Sequence, residues 1–203
     1  MLIKDFFNDA FFFKVKTTYG KQAVKRAHRW HEVIEDSRDE NEWKKLNKIN
    51  YFFNQQISYQ NDLDLWGKND YWASPLETIG RGLGDCEDFA IAKFFSLTAL
   101  GIPEKKLRLM YVRQLTVNEP HMVLIYFKTP KSIPLVLDNY HPKILAANKR
   151  PDLKPIYSFN GNGLWMSKAK GLGRKIREGS GVSNWDRLIE KIELEQGQTE
   201  RNG

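Results

Sequence analysis

Residues 84–101 read "GDCEDFAIAKFFSLTALG" and contain the only cysteine of the 203-residue chain. Small and apolar side chains recur there every three or four positions, which predicts a helix over residues 85–100. These side chains are Phe89, Ala92, Phe95 (or Ser96) and Ala99. Gly101 and Pro103 follow, and a glycine followed by a proline is typical of a helix end. The cysteine, Cys86, is therefore expected in the first turn of a helix.

The surroundings of Cys86 create an electrostatic conflict. The free N–H groups and the positive dipole end of a helix favour a thiolate, but Asp85, Glu87 and Asp88 flank the thiol and disfavour it. One carboxylate about 6 Å from the sulfur, at an effective dielectric of about 20, opposes ionisation by about 2.8 kcal/mol, while a helix end contributes only ~0.3–1 kcal/mol. A buried structural cysteine is the alternative, although acids are unusual core neighbours. A reactive thiol here needs a bound cation.

The rest of the chain predicts helices followed by an antiparallel sheet. Helical spacing marks residues 21–36 and 41–53, and a further helix is expected near residues 183–195. Between them, residues 58–84 form a long polar connection that contains several glycines and a proline. Short links between the first three strand-like runs favour a meander. The runs are residues 107–115, 121–127, 134–139, 154–159 and 163–167.

This order of elements predicts an α+β fold in a single domain over residues 1–203. Its expected parts are a mainly helical segment over residues 1–56, a catalytic core with the sheet over residues 57–169, and a basic loop with a C-terminal helix over residues 170–203. No apolar run is long enough for a transmembrane segment. A single cysteine excludes an internal disulfide and a cysteine-rich zinc site.

A nucleophilic cysteine needs a base, and the base needs a group that orients it. His121 begins the apolar run "HMVLIYF", so it is expected at the mouth of a buried strand. Asp138 ends the next apolar run, "PLVLD", where a carboxylate needs a partner. Adjacent antiparallel strands can place these two side chains together. His28 and His31 fit packing or surface positions on a helix, and His141 is a weak candidate in a loop.

Three stretches resemble the bacterial transglutaminase-like cysteine proteinases over about residues 52–159: "DYWASPLETIGRGLGDCEDFAIAKFFSLTALGIP", "EPHMVLIY" and "PLVLDNYHPKI". The resemblance implies a papain/transglutaminase-like core, with the nucleophile at the N-terminus of a helix packed on an antiparallel β-sheet. It also implies that Cys86, His121 and Asp138 form the catalytic triad. Calcium dependence is implied as well, through the acids that flank the cysteine.

The same resemblance implies a biological role. Its expected substrate is the N-terminal region of a large cell-surface adhesin, cut at a di-alanine type site, which controls biofilm attachment. An inner-membrane cyclic-di-GMP receptor is the expected inhibitory partner. Family members are exported, so a periplasmic location is expected. The start of the chain, "MLIKDFFNDAFFFKVKT", has no signal-peptide pattern, which suggests a sequence trimmed to its mature region.

Calcium also suits the chemistry around Cys86. A bound divalent cation is the largest charge in such a site, so it reverses the balance that the acids set up. Oxygen-only ligands suit Ca²⁺ better than zinc. Asp85 and Glu87 are the primary expected ligands, and Asp88 is a weaker one. The alternative is that these acids only complement the helix N-terminus.

The stretch "LWGKNDYW", residues 65–72, brings aromatic side chains near the site. They either pack in the core or form a surface for the substrate or a partner; they are Trp66, Tyr71 and Trp72. The backbone N–H of Cys86 is the expected first donor to the oxyanion of the reaction. A second donor is expected from residues 54–72, and the candidates are Asn54, Trp66 and Trp72.

The net charge of +7 is unevenly distributed. Residues 143–177 carry nine basic side chains against one acid, Asp152; the basic ones are Lys143, Lys149, Arg150, Lys154, Lys168, Lys170, Arg174, Lys175 and Arg177. This stretch is either a solvated face or a docking surface for an acidic partner or anionic lipid. No nucleic-acid-binding pattern accompanies it, so nucleic acid is not an expected partner.

Two other functions remain compatible with the sequence. A transglutaminase or amidase would use the same Cys–His–Asp triad and differ only in whether an amine or water accepts the acyl group. A non-catalytic binding module would keep the fold and use the basic stretch, although such a module has no need for a complete triad.

Overall fold

The computed structural model describes residues 7–166 and 173–200. Helices precede the main sheet, and one long helix follows it. The helices are α1 (Asp9–Tyr19), α2 (Lys21–Glu35), α3 (Glu42–Gln56), α4 (Asp62–Trp66), α5 (Pro75–Arg81), α6 (Cys86–Ala99) and α7 (Ser183–Glu200). The expected helices at residues 21–36, 41–53 and 85–100 correspond to α2, α3 and α6, and α7 covers the one expected at residues 183–195.

The main sheet has seven antiparallel strands within the described residues. Their spatial order is β6-β5-β4-β3-β7-β8-β9. The strands are β3 (Leu107–Gln114), β4 (Glu119–Tyr126), β5 (Leu135–Leu137), β6 (Leu145–Ala146), β7 (Leu153–Asn160), β8 (Gly163–Met166) and β9 (Arg174–Arg177). The predicted meander is confirmed for β3, β4 and β5, while β7 pairs with the other side of β3. A separate parallel pair joins β1 (Ser58–Tyr59) to β2 (Leu83–Gly84).

Helix α6 lies at the centre of the molecule. Every residue from Asp88 to Leu97 is buried, because the sheet covers one side of the helix and other helices cover the rest. Its apolar side chains belong to one core that also holds Trp30 of α2, Phe53 of α3 and Trp185 of α7. The predicted α+β class, with a helix packed on an antiparallel sheet, is therefore confirmed.

The connection predicted over residues 58–84 is more ordered than expected. It contains β1, α4, α5 and β2. The sequence signals for α5 are visible in retrospect: Ser74 and Glu77 form a capping box, and Pro75 occupies the first turn. Helix α1 and strands β6 and β9 were also missed, since short or two-sided segments show little periodicity.

Two smaller expectations concern packing and membranes. His28 stacks on Phe12, and His31 stacks on Phe7, so both histidines have packing roles. No helix in the described part of the chain is long and apolar enough to cross a membrane.

Candidate active site

The backbone before α6 is shaped by two glycines. Gly82 ends α5 with a φ of 68°, a left-handed conformation that favours glycine. Gly84 lies against Asp88, and a Cβ at Gly84 would come within 2.8 Å of the Asp88 side chain. Asp88 in turn accepts hydrogen bonds from the backbone N–H of Ala73 (2.8 Å) and of Asp85 (3.3 Å). These contacts fix the first turn of α6, where Cys86 lies.

His121 and Asp138 are brought together by strands β4 and β5. The register pairs Leu124 with Leu137, so His121 on β4 and Asp138, just after β5, lie near the same end of the sheet. His121 Nε2 is 2.8 Å from Asp138 Oδ1. Both side chains are nearly buried, at 9% and 1% exposed. The structure thus places together the two residues that the sequence singled out as a base and its orienting group.

Asp138 is held by further donors. Its Oδ1 accepts the backbone N–H of Tyr140 (2.9 Å), and its Oδ2 accepts Arg150 Nη2 (2.7 Å). Asn54 Nδ2 donates to its backbone oxygen (2.9 Å). Burial by itself would raise the pKa of Asp138, but hydrogen bonds and charge from His121, followed by Arg150, offset it and lower the pKa to about 2. Asp138 is therefore a stable anion.

Cys86 and His121 line the same cleft, which has a volume of about 390 Å³. The Cys86 thiol lies 3.1 Å from Glu87 Oε2 and donates to it, and the backbone N–H of Met122 also contacts the sulfur. Burial, followed by the charges of Glu87 and Asp85, raises the pKa of Cys86 well above its ordinary value. The conflict inferred from the sequence is thus present in the folded protein.

A cluster of three carboxylates borders this cleft. Ligand oxygens of Asp62, Asp85 and Glu87 all lie within 4.8 Å of one another. Oδ1 of Asp62 and Oδ1 of Asp85 are buried and have no hydrogen-bond partner among the described residues. Burial raises the pKa of Asp62 to about 6, and burial with the charge of Glu87 raises that of Asp85 to about 10. Buried, unsatisfied oxygens at this spacing fit a hard cation such as Ca²⁺.

This cluster differs in two respects from the ligand set expected from sequence. Asp85 and Glu87 are both present, but Asp88 is not part of the cluster because its carboxylate caps backbone N–H groups at Ala73 and Asp85. Asp62 is a member that sequence reasoning missed. It begins the short helix α4, and its Oδ2 accepts the backbone N–H of Tyr71.

The three aromatic residues near the site do not line the cleft. Trp72 is 5% exposed and stacks on Phe159, so it packs in the core. The rings of Trp66 and Tyr71 pack at a tilt with their centroids 4.4 Å apart, and the Arg81 guanidinium lies over the Trp66 ring, 4.4 Å from its centroid. Within the described residues, these contacts favour the packing interpretation over a substrate or partner surface.

The candidates for a second oxyanion donor are mostly engaged elsewhere. Trp72 Nε1 donates to Asp70 (2.9 Å), and Asn54 Nδ2 donates to the Asp138 backbone. Trp66 Nε1 is buried and has no partner among the described residues, but Trp66 does not line the cleft. Tyr59 and Asn69 do line it, and sequence reasoning did not single them out.

Comparison with known proteins identifies the family of the chain. The family model of the bacterial transglutaminase-like cysteine proteinases matches residues 17–157. The chain belongs to this family. A comparison with curated proteins gives no match.

Solved structures of a bacterial proteinase of this kind are also similar. Calcium-bound Legionella pneumophila LapG is 42% identical, with a TM-score of 0.77, and the match covers 89% of this chain and 97% of that one. EGTA-treated LapG from the same organism is 41% identical, with a TM-score of 0.77 and coverage of 89% and 95%. The transglutaminase-like proteinase described here is therefore a cysteine protease, a hydrolase, with a LapG-like fold.

Proposed function

We propose that this protein is a calcium-dependent cysteine endopeptidase in which Cys86, His121 and Asp138 form the catalytic triad. The observation that carries the proposal is the shared cleft: its lining includes the only cysteine of the chain, two carboxylates of the acidic cluster, and His121, which pairs with the buried Asp138 behind it. Each group has a defined chemical task there, and the sequence offers no other thiol.

The pair of His121 and Asp138 supplies the base. His121 Nε2 faces Asp138, which leaves Nδ1 as the ring nitrogen that takes the proton of the Cys86 thiol. The anionic Asp138 holds the imidazole in this orientation and stabilises the imidazolium. The thiolate then attacks the peptide carbonyl, and the imidazolium protonates the leaving amine. Water, activated by the same imidazole, hydrolyses the thioester.

The N-terminus of α6 supplies the first oxyanion contact. The backbone N–H of Cys86 lies in the first turn of the helix, where it has no partner within the helix. It can therefore donate to the oxyanion that forms when the thiolate adds to the carbonyl.

Asp62, Asp85 and Glu87 would hold calcium. A bound Ca²⁺ supplies positive charge that offsets these carboxylates and so favours the thiolate over the thiol. Without that charge, the Cys86 thiol donates a hydrogen bond to Glu87. The pKa of Cys86 then stays high because of burial and the two flanking acids.

The expected biological role follows from the family resemblance. We propose that the substrate is the N-terminal region of a large cell-surface adhesin, cut at a di-alanine type site in the periplasm, and that an inner-membrane cyclic-di-GMP receptor inhibits the protease. The similarity to LapG over nearly the whole of that chain supports this role.

The test is incubation of the protein with an adhesin N-terminal fragment, with Ca²⁺ or with excess EGTA, followed by mass spectrometry of the products. We expect one new N-terminus in Ca²⁺, none in EGTA, and none with Cys86→Ala, whose binding to the fragment should persist. Cleavage by Cys86→Ala would contradict the triad, and cleavage in EGTA would contradict the calcium requirement. Incorporation of a labelled amine without backbone cleavage would favour a transglutaminase.

A further inference from the structure

Arg150 is the buried exception in the basic stretch of residues 143–177. It lies directly after a 3-10 turn, Ala147–Lys149, and is only 3% exposed. Other basic residues of this stretch, such as Arg174 and Lys175, are exposed, and Lys168 and Lys170 lie outside the described residues. Arginine is seldom this deeply buried unless it is paired, so its partners indicate why it is there.

Arg150 joins two carboxylates. Its Nη2 donates to Asp138 Oδ2 at 2.7 Å and to Asp152 Oδ2 at 2.6 Å, and its Nε donates to Asp152 Oδ1 at 2.9 Å. Asp152, the only acid of the basic stretch, therefore holds the guanidinium on the side nearer the solvent, while Asp138 binds it in the interior. The planar, always charged guanidinium suits this kind of forked contact better than a lysine ammonium.

The two oxygens of Asp138 have different partners. Oδ1 faces His121 and the N–H of Tyr140, and Oδ2 faces Arg150. Since each oxygen is tied to a different group, the carboxylate cannot rotate without breaking at least one charge-assisted hydrogen bond. The contact with Arg150 thus fixes the plane in which Oδ1 meets the imidazole.

We propose that Arg150 is a positioning residue of the protease, which acts through Asp138 to hold His121 in the orientation that accepts the Cys86 proton. This role rests on the proposed function of the triad. Arg150 is not one of the residues that line the cleft, so its proposed effect on the reaction passes through Asp138.

Arg150 also belongs to the charged surroundings that keep Asp138 ionised. The charged or titratable groups around Asp138 are His121 from β4, Arg150 with Asp152 beyond it, and the fully buried Lys93 of α6. Lys93 acts through Asn54: its Nζ donates to Asn54 Oδ1 (2.7 Å), and Asn54 donates to the Asp138 backbone. Burial opposes the charge of Asp138, so loss of the Arg150 contact should make Asp138 easier to protonate.

Arg108 provides a matched control. It is 2% exposed, close to the 3% of Arg150, but it lies over the rings of Trp165 and Phe127. Arg108→Met removes an equally buried guanidinium without touching the Asp138 carboxylate. A general effect of losing a buried arginine would appear in both variants, whereas a positioning effect would appear only at Arg150.

The experiment measures the rate at which iodoacetamide alkylates Cys86 as a function of pH, in Ca²⁺. Because the chain has one cysteine, the rate reports Cys86 alone and needs no substrate. We expect Arg150→Met to move the acid limb of the profile up by about one pH unit, which is about ten-fold slower alkylation on that limb. Arg150→Lys should lie between this variant and the wild type, and Arg108→Met should keep the wild-type profile.

The outcomes separate the two proposals. An Arg150→Met protein that folds and keeps the wild-type acid limb overturns the role of Arg150. If neither Arg150 variant folds, Asp152→Asn decides, since it releases the outer contact only: a raised acid limb supports positioning, and an unchanged one assigns Arg150 a structural role and overturns the proposal. A wild-type profile typical of a free thiol, near pH 8.5, overturns the triad itself and the Arg150 role with it.

Discussion

Two aspartates of the proposed active site, Asp138 and Asp85, have opposite environments. On the sheet side of the site, formed by His121 and Asp138, both carboxylate oxygens of Asp138 have partners: Oδ1 meets His121 and the N–H of Tyr140, and Oδ2 meets Arg150. These partners lower the pKa of Asp138 to about 2. Asp85, on the helix side, has a buried Oδ1 without a partner among the described residues, and burial with the charge of Glu87 raises its pKa to about 10.

The difference shows which half of the site is complete within this chain. The sheet side carries its own counter-charges, so it is organised as soon as the protein folds. The helix side concentrates Asp62, Asp85 and Glu87, and burial together with the neighbouring acids raises the pKa of Asp62 and of Asp85, so a bound cation would stabilise this side. The calcium dependence that we propose would therefore reside on the helix side alone.

The largest expected effect tests the sheet side. Asp138→Asn should lower kcat by about 10³–10⁴-fold, because an amide in this place stabilises the wrong tautomer of the imidazole. The measurement is steady-state cleavage of the adhesin fragment in Ca²⁺, with circular dichroism to confirm that the variant is folded.

The control for Asp138→Asn is His141→Gln, a change nearby in sequence, where His141 Nδ1 lies 3.1 Å from the backbone oxygen of Lys143. It should cleave like the wild type. Activity within about ten-fold of the wild type in a folded Asp138→Asn protein would show that the sheet side does not orient the base.

The next effect tests the helix side. Calcium at 100 times its Kd should raise the free energy of unfolding of the wild type by about 2.7 kcal/mol, and Asp85→Asn should lose most of this gain. In EGTA the order should reverse, with Asp85→Asn the more stable protein, since a neutral amide relieves the repulsion among the carboxylates of Asp62, Asp85 and Glu87. Chemical denaturation with and without Ca²⁺ measures both.

Asp64→Asn is the matched control for the helix side. Asp64 lies on α4 with Asp62, but its carboxylate is exposed and accepts from Gln60 and Asn61. We expect this variant to respond to Ca²⁺ like the wild type. If Asp64→Asn lost the calcium response to the same extent, the overall negative charge of this region, and not the cluster of Asp62, Asp85 and Glu87, would account for calcium binding.

The pH dependence of stability isolates Asp138 again, with a smaller effect. Its pKa is lowered from an ordinary value of 3.8 to about 2, so the unfolded chain binds this proton at a higher pH than the folded protein does. Asp138 thus contributes about 2 kcal/mol of stability above pH 4, which is lost as the pH falls through 2. The difference in unfolding free energy between the wild type and Asp138→Asn should shrink over this range; a constant difference would contradict the pairing.

Helix α6 and the His121–Asp138 pair could be predicted well from the sequence, for a local reason. Helix α6 was expected at residues 85–100 and is found at Cys86–Ala99, because periodic small and apolar residues and a Gly–Pro end mark it. His121 and Asp138 were expected side by side because they sit on consecutive strands joined by a short link, and their side chains are 2.8 Å apart. Consecutive strands usually pair.

Asp62 and Arg150 could not be predicted in the same way. Asp62 reaches the cluster only because β1 pairs with β2 and folds residues 58–84 back on themselves, a long-range contact with no periodic signal. Arg150 looked like one more charge in a basic stretch. The one available signal was Asp152 two residues later, the only acid there, since arginine and a carboxylate form strong, forked hydrogen bonds.

The smallest effect concerns how α7 supports the helix side. Lys191 Nζ donates to the backbone oxygen of Trp72 (2.9 Å) and to Glu77 (2.8 Å), and it thereby ties α7 to the loop whose Tyr71 N–H binds Asp62. Lys191→Met should lower the free energy of unfolding by about 1–2 kcal/mol.

The same change should also weaken calcium binding by up to about ten-fold. A displaced Asp62 that costs about 1.4 kcal/mol of binding free energy raises the Kd by this factor. Calcium titration by calorimetry measures it. Lys44→Met is the control, because Lys44 makes an exposed ion pair with Glu40 at 2.8 Å, and such pairs contribute only ~0–1 kcal/mol. If Lys191→Met loses stability but binds calcium as tightly as Lys44→Met, α7 stabilises the fold without positioning Asp62, and the helix side is organised by α4 and α6 alone.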